Sequence, residues 1–163
     1  MDYFLIKQSG TVTIPKDTMA KDASSEDPSV RIMQNVSSLD QFDYISQEHL
    51  ISDLLKQLLE QYLPEQFWRP CVFVDTQKQE MKTFWFLPDL PYVPKKVVTA
   101  SNGIPAAVYV DAQDFAKKAP AILLIHVSKG MSFLVVHLSV AESILRRGIC
   151  GLEIIRLNRY DND

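Results

Sequence analysis

The sequence predicts an α+β domain with a mostly antiparallel sheet and two main helices, and three observations carry that expectation. A stripe of leucines recurs at helical spacing after residue 49. Short β-rich runs are separated by polar turns. A strand–helix–strand pattern occurs twice, once within 42–87 and again within 121–157. Strands interrupted by few helices favour hairpins over the alternating order of a parallel sheet. The 163 residues are read as one domain, 1–163, a length that buries roughly two-thirds of the unfolded surface.

Tyr3–Lys7 (YFLIK) opens the chain as a strand, and Thr11–Ile14 continues it or pairs with it before Pro15 closes the region. From 16 to 43 the composition turns acidic and aperiodic, predicting a long irregular surface segment with one ordered piece near Val30–Met33. Loops of that length in compact domains are uncommon and are usually functional or mobile. In the first copy, Ser46 is the expected N-cap. Leu50, Ile51, Leu54, Leu55, Leu58, Leu59 and Tyr62 fall at offsets 0, 1, 4, 5, 8, 9 and 12, on one helical stripe that Pro64 ends. Cys71–Asp75 and Met81–Leu87 then read as a hairpin across the polar TQKQE.

Pro88–Lys96 (PDLPYVPKK) has the spacing of a polyproline ligand, but between two strand-like runs it is read as a rigid crossover. Ala106–Asp111 is a further strand, with Asp111 placed to cap a short helix, AQDFAKK. Ala121–Val127 and Ser132–Leu138 flank SKG and predict a hairpin. In the second copy, Ser139 and Glu142 match a capping box, Arg146 and Arg147 complement the helix dipole, and Gly148 suits a left-handed stop. Leu152–Leu157 is the last strand, and Asn158–Asp163 is expected to fray.

Catalytic signatures are missing. Glycines at 10, 103, 130, 148 and 151 form neither a phosphate loop nor a dinucleotide fingerprint, and there is no G-x-S-x-G elbow. His126 and His137 could be neighbours across the predicted hairpin, but no Cys or carboxylate stands at ligand spacing from either, so neither metal nor cofactor is expected. Cys71 and Cys150 lie among apolar residues and are read as buried thiols, with Cys71 sharing a strand face with Phe73. The N-terminus, MDYFLIKQSG, lacks the basic-then-apolar pattern of a secretory signal, and no apolar run approaches bilayer length. The expected location is cytoplasmic.

Charge is more informative. Between Asp17 and Asp53 eight acids face two bases, whereas from Lys95 to Arg159 nine bases face four acids, within a chain of net charge −3. An acidic segment can steer and hold a basic protein. Asp17, Asp22, Glu26, Asp27, Asp40 and Asp43 are therefore the candidate partner-binding residues, and no catalytic residue is assigned. The net charge opposes indiscriminate binding to nucleic acid or anionic membrane, and the oligomeric state is open.

Tyr44-Ile45-Ser46, the helix, and Phe67-Trp68-Arg69-Pro70 before a strand form a pattern that Val135-Val136, a second helix and Gly148-Ile149-Cys150-Gly151-Leu152-Glu153 repeat. Together with Val108-Tyr109-Val110-Asp111, this resembles the class numbered eleven among bacterial polymorphic-toxin immunity proteins, formerly a domain of unknown function. The chain departs from that pattern at His137 and Cys150, where the family favours serine and threonine, and in its N-terminal quarter. The resemblance implies a non-enzymatic, cytoplasmic inhibitor that binds and neutralises a cognate toxin domain, and the acidic segment matches a basic, nuclease-like toxin. The alternatives are a small enzyme assembled from distant residues such as His126 and His137, or a nucleic-acid contact through the basic C-terminal half.

Overall fold

A computed structural model describes residues 2–17, 26–90, 96–111, 113, 117, 120–128 and 131–162. The fold is α+β with mostly antiparallel pairing. The chain, read as one domain, clusters into two compact units: Met1–Lys7, Asp89–Gly148 and Glu153–Asp163 form one, while Gln8–Pro88 and Ile149–Leu152 form the other.

Among the described residues the sheet of the first unit has six strands. These are β1 (Tyr3–Gln8), β7 (Lys96–Thr99), β8 (Pro105–Asp111), β9 (Ile122–Ser128), β10 (Met131–His137) and β11 (Leu152–Asn162), in the order β7-β8-β11-β1-β10-β9. The β9–β10 hairpin forms as expected, with Leu134 opposite Leu124 and Val136 opposite Ile122. Outer strands β7 and β9 approach each other, so the sheet curls around Tyr3, Leu5, Leu123, Ile125, Val135 and Leu157. Helix α2 (Leu138–Arg146) follows β10 directly. Its cap is not Ser139 but His137, whose ring nitrogen Nδ1 accepts from Ser139 N at 3.2 Å. The strand ends at His137, one residue short of the expected Leu138, so the helix starts two residues before the capping-box pattern implies and the ring fills the place of the serine oxygen. Gly148 takes φ +65° with open space around it, matching its predicted left-handed stop.

The C-terminal residues do not fray at Asn158. They extend β11 through Asn162, parallel to β8, with Tyr160 opposite Tyr109 and the two rings stacked at 5.2 Å. Parallel partners distant in sequence leave no turn signal.

Among the described residues the sheet of the second unit has five strands. These are β2 (Ser29–Ile32), β3 (Tyr44–Ile45), β4 (Leu50–Ile51), β5 (Pro70–Asp75) and β6 (Glu80–Phe86), in the order β2-β5-β6-β4-β3. The β5–β6 hairpin forms as predicted, and β2 is the ordered piece expected near Val30. No strand forms at 11–14. Cys71, Phe73 and Phe84 are buried against Val36, Leu39, Phe42 and Leu50. Helix α1 covers only Asp53–Glu60 and is capped by Ser52, whose oxygen accepts from Leu55 N at 3.2 Å. Leu50 and Ile51, expected on the helical stripe, instead pair with Ile45 and Tyr44 as β3–β4. Positive φ at Glu48 (+60°) and His49 (+50°) turns the chain there, which a helix starting at Ser46 could not accommodate. Residues 91–95 of the Pro88–Lys96 crossover and most of the AQDFAKK helix lie outside the described residues.

Two features of this unit have measurable consequences. Cys150 and Gly151 thread against the 9 and 41–43 backbone: Ser9 N donates to Gly151 O (2.9 Å) and Asp43 N to Cys150 O (3.0 Å). A Cβ on Gly151 would overlap the Gln41 carbonyl oxygen and lie 2.7 Å from Phe42 Cα, at φ +73°. Gly151→Ala is expected to lower stability by at least about 2 kcal/mol, against about 1 kcal/mol for Gly148→Ala, read by denaturant unfolding. In the β5–β6 turn, the buried Asp75 carboxylate accepts from Lys78 N (3.1 Å), Asn35 N (3.0 Å) and Gln77 N (3.0 Å). These N–H groups, Lys78's foremost, hold its pKa below the usual aspartate range. A depressed folded pKa contributes stability above the unfolded value, about 3.9, and loses it as pH falls. Asp75→Asn should therefore be less stable at neutral pH and show a shallower loss of stability between about pH 5 and pH 2.

Candidate partner-binding surface

The sequence charge asymmetry follows the division into units. The unit built from Gln8–Pro88 and Ile149–Leu152 holds twelve acids and seven bases, a formal −5, and the other unit eight acids and ten bases, +2.

Within the acidic unit the candidate residues do different work. Asp43 is a clamp: its Oδ1 accepts from Ser52 Oγ (2.6 Å) and its Oδ2 from Cys150 N (2.7 Å). It thereby joins the cap of α1 to the 149–152 segment. Asp17 accepts from Ser29 Oγ at 2.7 Å and lies 4.0 Å from Arg69 Nη2, tying 17 to 29 across the acidic segment. Asp40 is exposed and pairs with Lys82 at 2.6 Å. Glu26 and Asp27 are exposed, and the Asp27 carbonyl accepts from Arg69 Nε at 2.8 Å. Asp22 lies outside the described residues. The five described residues therefore divide: Glu26, Asp27 and Asp40 face solvent while Asp17 and Asp43 hold the fold.

The organising contact is a buried cation. Arg31 is 3% exposed, and its guanidinium donates to Ser29 Oγ (3.1 Å), to the Pro15 carbonyl (3.0 Å) and to Glu48 through two bonds, Nη2–Oε1 at 2.9 Å among them. The Glu48 carboxylate raises the arginine pKa against the opposing effect of burial. Phe86 lies under both Arg31 (5.8 Å) and Arg69 (4.8 Å). Because Arg31 points inward, its neighbours Val30 and Ile32 point outward, at 57% and 69% exposure. Cross-strand pairing continues this face through Val30–Val72–Thr83 and Ile32–Val74–Met81, with Met81 67% exposed. The sequence reading missed this apolar face. The alternation in SVRI was a signal, but its usual interpretation buries the aliphatic residues and exposes the arginine.

Nearby, Tyr44 stacks on His49, its hydroxyl 2.8 Å from Nδ1. Lys56 Nζ lies 4.5 Å above the Trp85 ring, whose Nε1 donates to Asp53.

Chemical groups singled out earlier are dispersed. His126 pairs with Ser132 near the hairpin turn, while His137 lies at the other end beside Tyr3, so the two are not cross-strand neighbours. Among the described residues, no group of three or more His, Cys, Asp or Glu side chains could hold a metal ion. Cys71 is buried as expected, its pKa pushed up to about 11 mainly by burial. Cys150 is exposed instead, because its segment runs along the surface with its backbone tied to Asp43; partial burial and the Asp43 carboxylate still raise its pKa. No described helix is long and apolar enough to cross a membrane. Of the C-terminal cations, Arg146 lies 3.9 Å from Glu142 and Arg156 3.1 Å from Asp2.

The division of labour among the acids is measurable. Asp43→Ala removes a charged acceptor from two bonds and should cost about 2–4 kcal/mol. Asp40→Ala breaks one exposed pair and should cost at most about 1 kcal/mol. Chemical denaturation of the two variants checks the ranking. Comparison with models of known protein families matches none, and comparison with curated proteins returns no significant match.

Proposed function

We propose that this chain is a non-enzymatic protein-binding module of the immunity type, which neutralises a cognate toxin domain in the cytoplasm by covering its active surface. The observation that carries the reading is the acidic unit, with Glu26, Asp27 and Asp40 presented to solvent. A fixed negative surface raises the rate of encounter with a basic partner and disfavours acidic ones. The strand–helix–strand repetition and its sequence pattern give the resemblance to toxin-immunity proteins, and a nuclease-like toxin, basic because it grips phosphates, is the matching partner class. A site assembled from His126 and His137 loses support because the hairpin register separates them.

Occlusion needs area, and the exposed acids alone supply charge without much apolar contact. The face formed by Val30, Ile32 and Met81 adds the desolvated part that stable interfaces require.

The test is co-expression with the C-terminal domain of the large secreted protein encoded immediately upstream. Rescue of growth and a purified one-to-one complex are expected. In that complex Glu26→Lys combined with Asp40→Lys should slow association by about 3- to 10-fold at low salt, with the difference shrinking as salt rises. Association rates unchanged by the double reversal would remove the acidic surface from the contact. Absence of any such neighbouring toxin gene would remove the immunity reading.

A further inference from the structure

We infer that the open edge of β2 is a strand-addition site that receives an extended, basic segment of a protein partner, an assignment that rests on the protein-binding reading and specifies its mode. β2 is an outer strand of the five-stranded sheet among the described residues. Its inner side is fixed by the parallel register with β5 and by Met33 N donating to Val74 O at 3.0 Å. Backbone groups of successive residues alternate sides in a strand, so Arg31 and Met33 bond toward β5 while the N–H and C=O of Val30 and Ile32 point to the open edge.

Edge and face coincide. An added strand would bond to Val30 and Ile32 and continue the rows Val30–Val72–Thr83 and Ile32–Val74–Met81, whose outer members Val30, Ile32 and Met81 are exposed. Main-chain bonds then provide affinity and alternate apolar side chains provide fit. Charge selects the occupant. Exposed Glu26 and Asp27 lie immediately before the strand, whereas Lys78 and Glu80 at the opposite hairpin offset each other. A segment alternating apolar residues with Lys or Arg brings complementary charge to Glu26 and Asp27, which a second copy paired antiparallel through this edge would instead place toward its neutral Met33, Gln34 and Asn35.

The test uses the full chain and a fluorescent synthetic peptide alternating valine with lysine, beside a counterpart alternating valine with glutamate. The lysine peptide should bind and the glutamate peptide should bind at least about tenfold more weakly. Ile32→Pro deletes an N–H that faces outward, so it leaves the β2–β5 ladder intact yet should weaken peptide binding about tenfold with an unchanged melting temperature. Ile32→Lys, which keeps the backbone and changes only the exposed face, should weaken it likewise. Equal binding by wild type and both variants would overturn the assignment, as would a wild-type dimer in sedimentation that Ile32→Pro dissolves. A toxin complex sensitive to the Glu26 and Asp40 reversals but indifferent to Ile32→Pro would overturn the edge assignment and leave the immunity reading. Peptide binding with the expected pattern beside an inert toxin domain would support the edge and remove the immunity reading alone.

Discussion

The buried Arg31 guanidinium is the constraint on which the second unit depends. An arginine inside a sheet is tolerated only with its donors matched, since an unpaired buried charge costs several kcal/mol. Here Ser29, Pro15 and Glu48 match them. Each partner has a structural consequence. The Pro15 and Ser29–Asp17 bonds fasten residues 15–17, where the acidic segment begins, to residues 29–31. The bond to Glu48 helps hold that residue at φ +60°, a conformation that costs a non-glycine residue about 1–3 kcal/mol. That turn releases Leu50 and Ile51 from the helix and lets them pair as β4. The inward arginine also turns Val30 and Ile32 out. Anchored loop, shortened helix and exposed apolar edge thus follow from one ion pair.

The legible parts of the fold were those written in local pattern. Cys71–Asp75, Met81–Leu87 and the 121–138 hairpin carry alternating apolar residues and adjacent turns, and each appears with the expected pairing. Gly148 marks its stop because only backbone geometry is involved. Misreadings share a cause, namely that a distant partner overrode a local preference. Leu50 and Ile51 fit a helical stripe but pair across β3 and β6. Asn158–Asn162 looked like a polar tail but finds β8 in parallel. Ser139–Glu142 has the letters of a capping box, yet His137 takes the cap because β10 pairs with β1 up to that residue.

The candidate surface was legible as charge and illegible as geometry. Counting acids located the excess that the second unit carries. Counting could not separate Asp43, whose carboxylate joins Ser52 to Cys150, from Asp40, which stands in solvent beside Lys82. A carboxylate that accepts two short bonds serves the fold first. The apolar edge was hidden for the opposite reason: Arg31 inverts the usual rule that charge faces water.

Arg31 faces inward with the edge beside it open, and hydrogen exchange of the four amides from Val30 to Met33 tests this most directly. Arg31 and Met33 amides, bonded toward β5, should exchange slowly, while those of Val30 and Ile32 should exchange near the rate of unprotected backbone. Slow exchange at Val30 and Ile32 with fast exchange at Arg31 and Met33 would mean that β2 is turned over or covered, and would contradict the account.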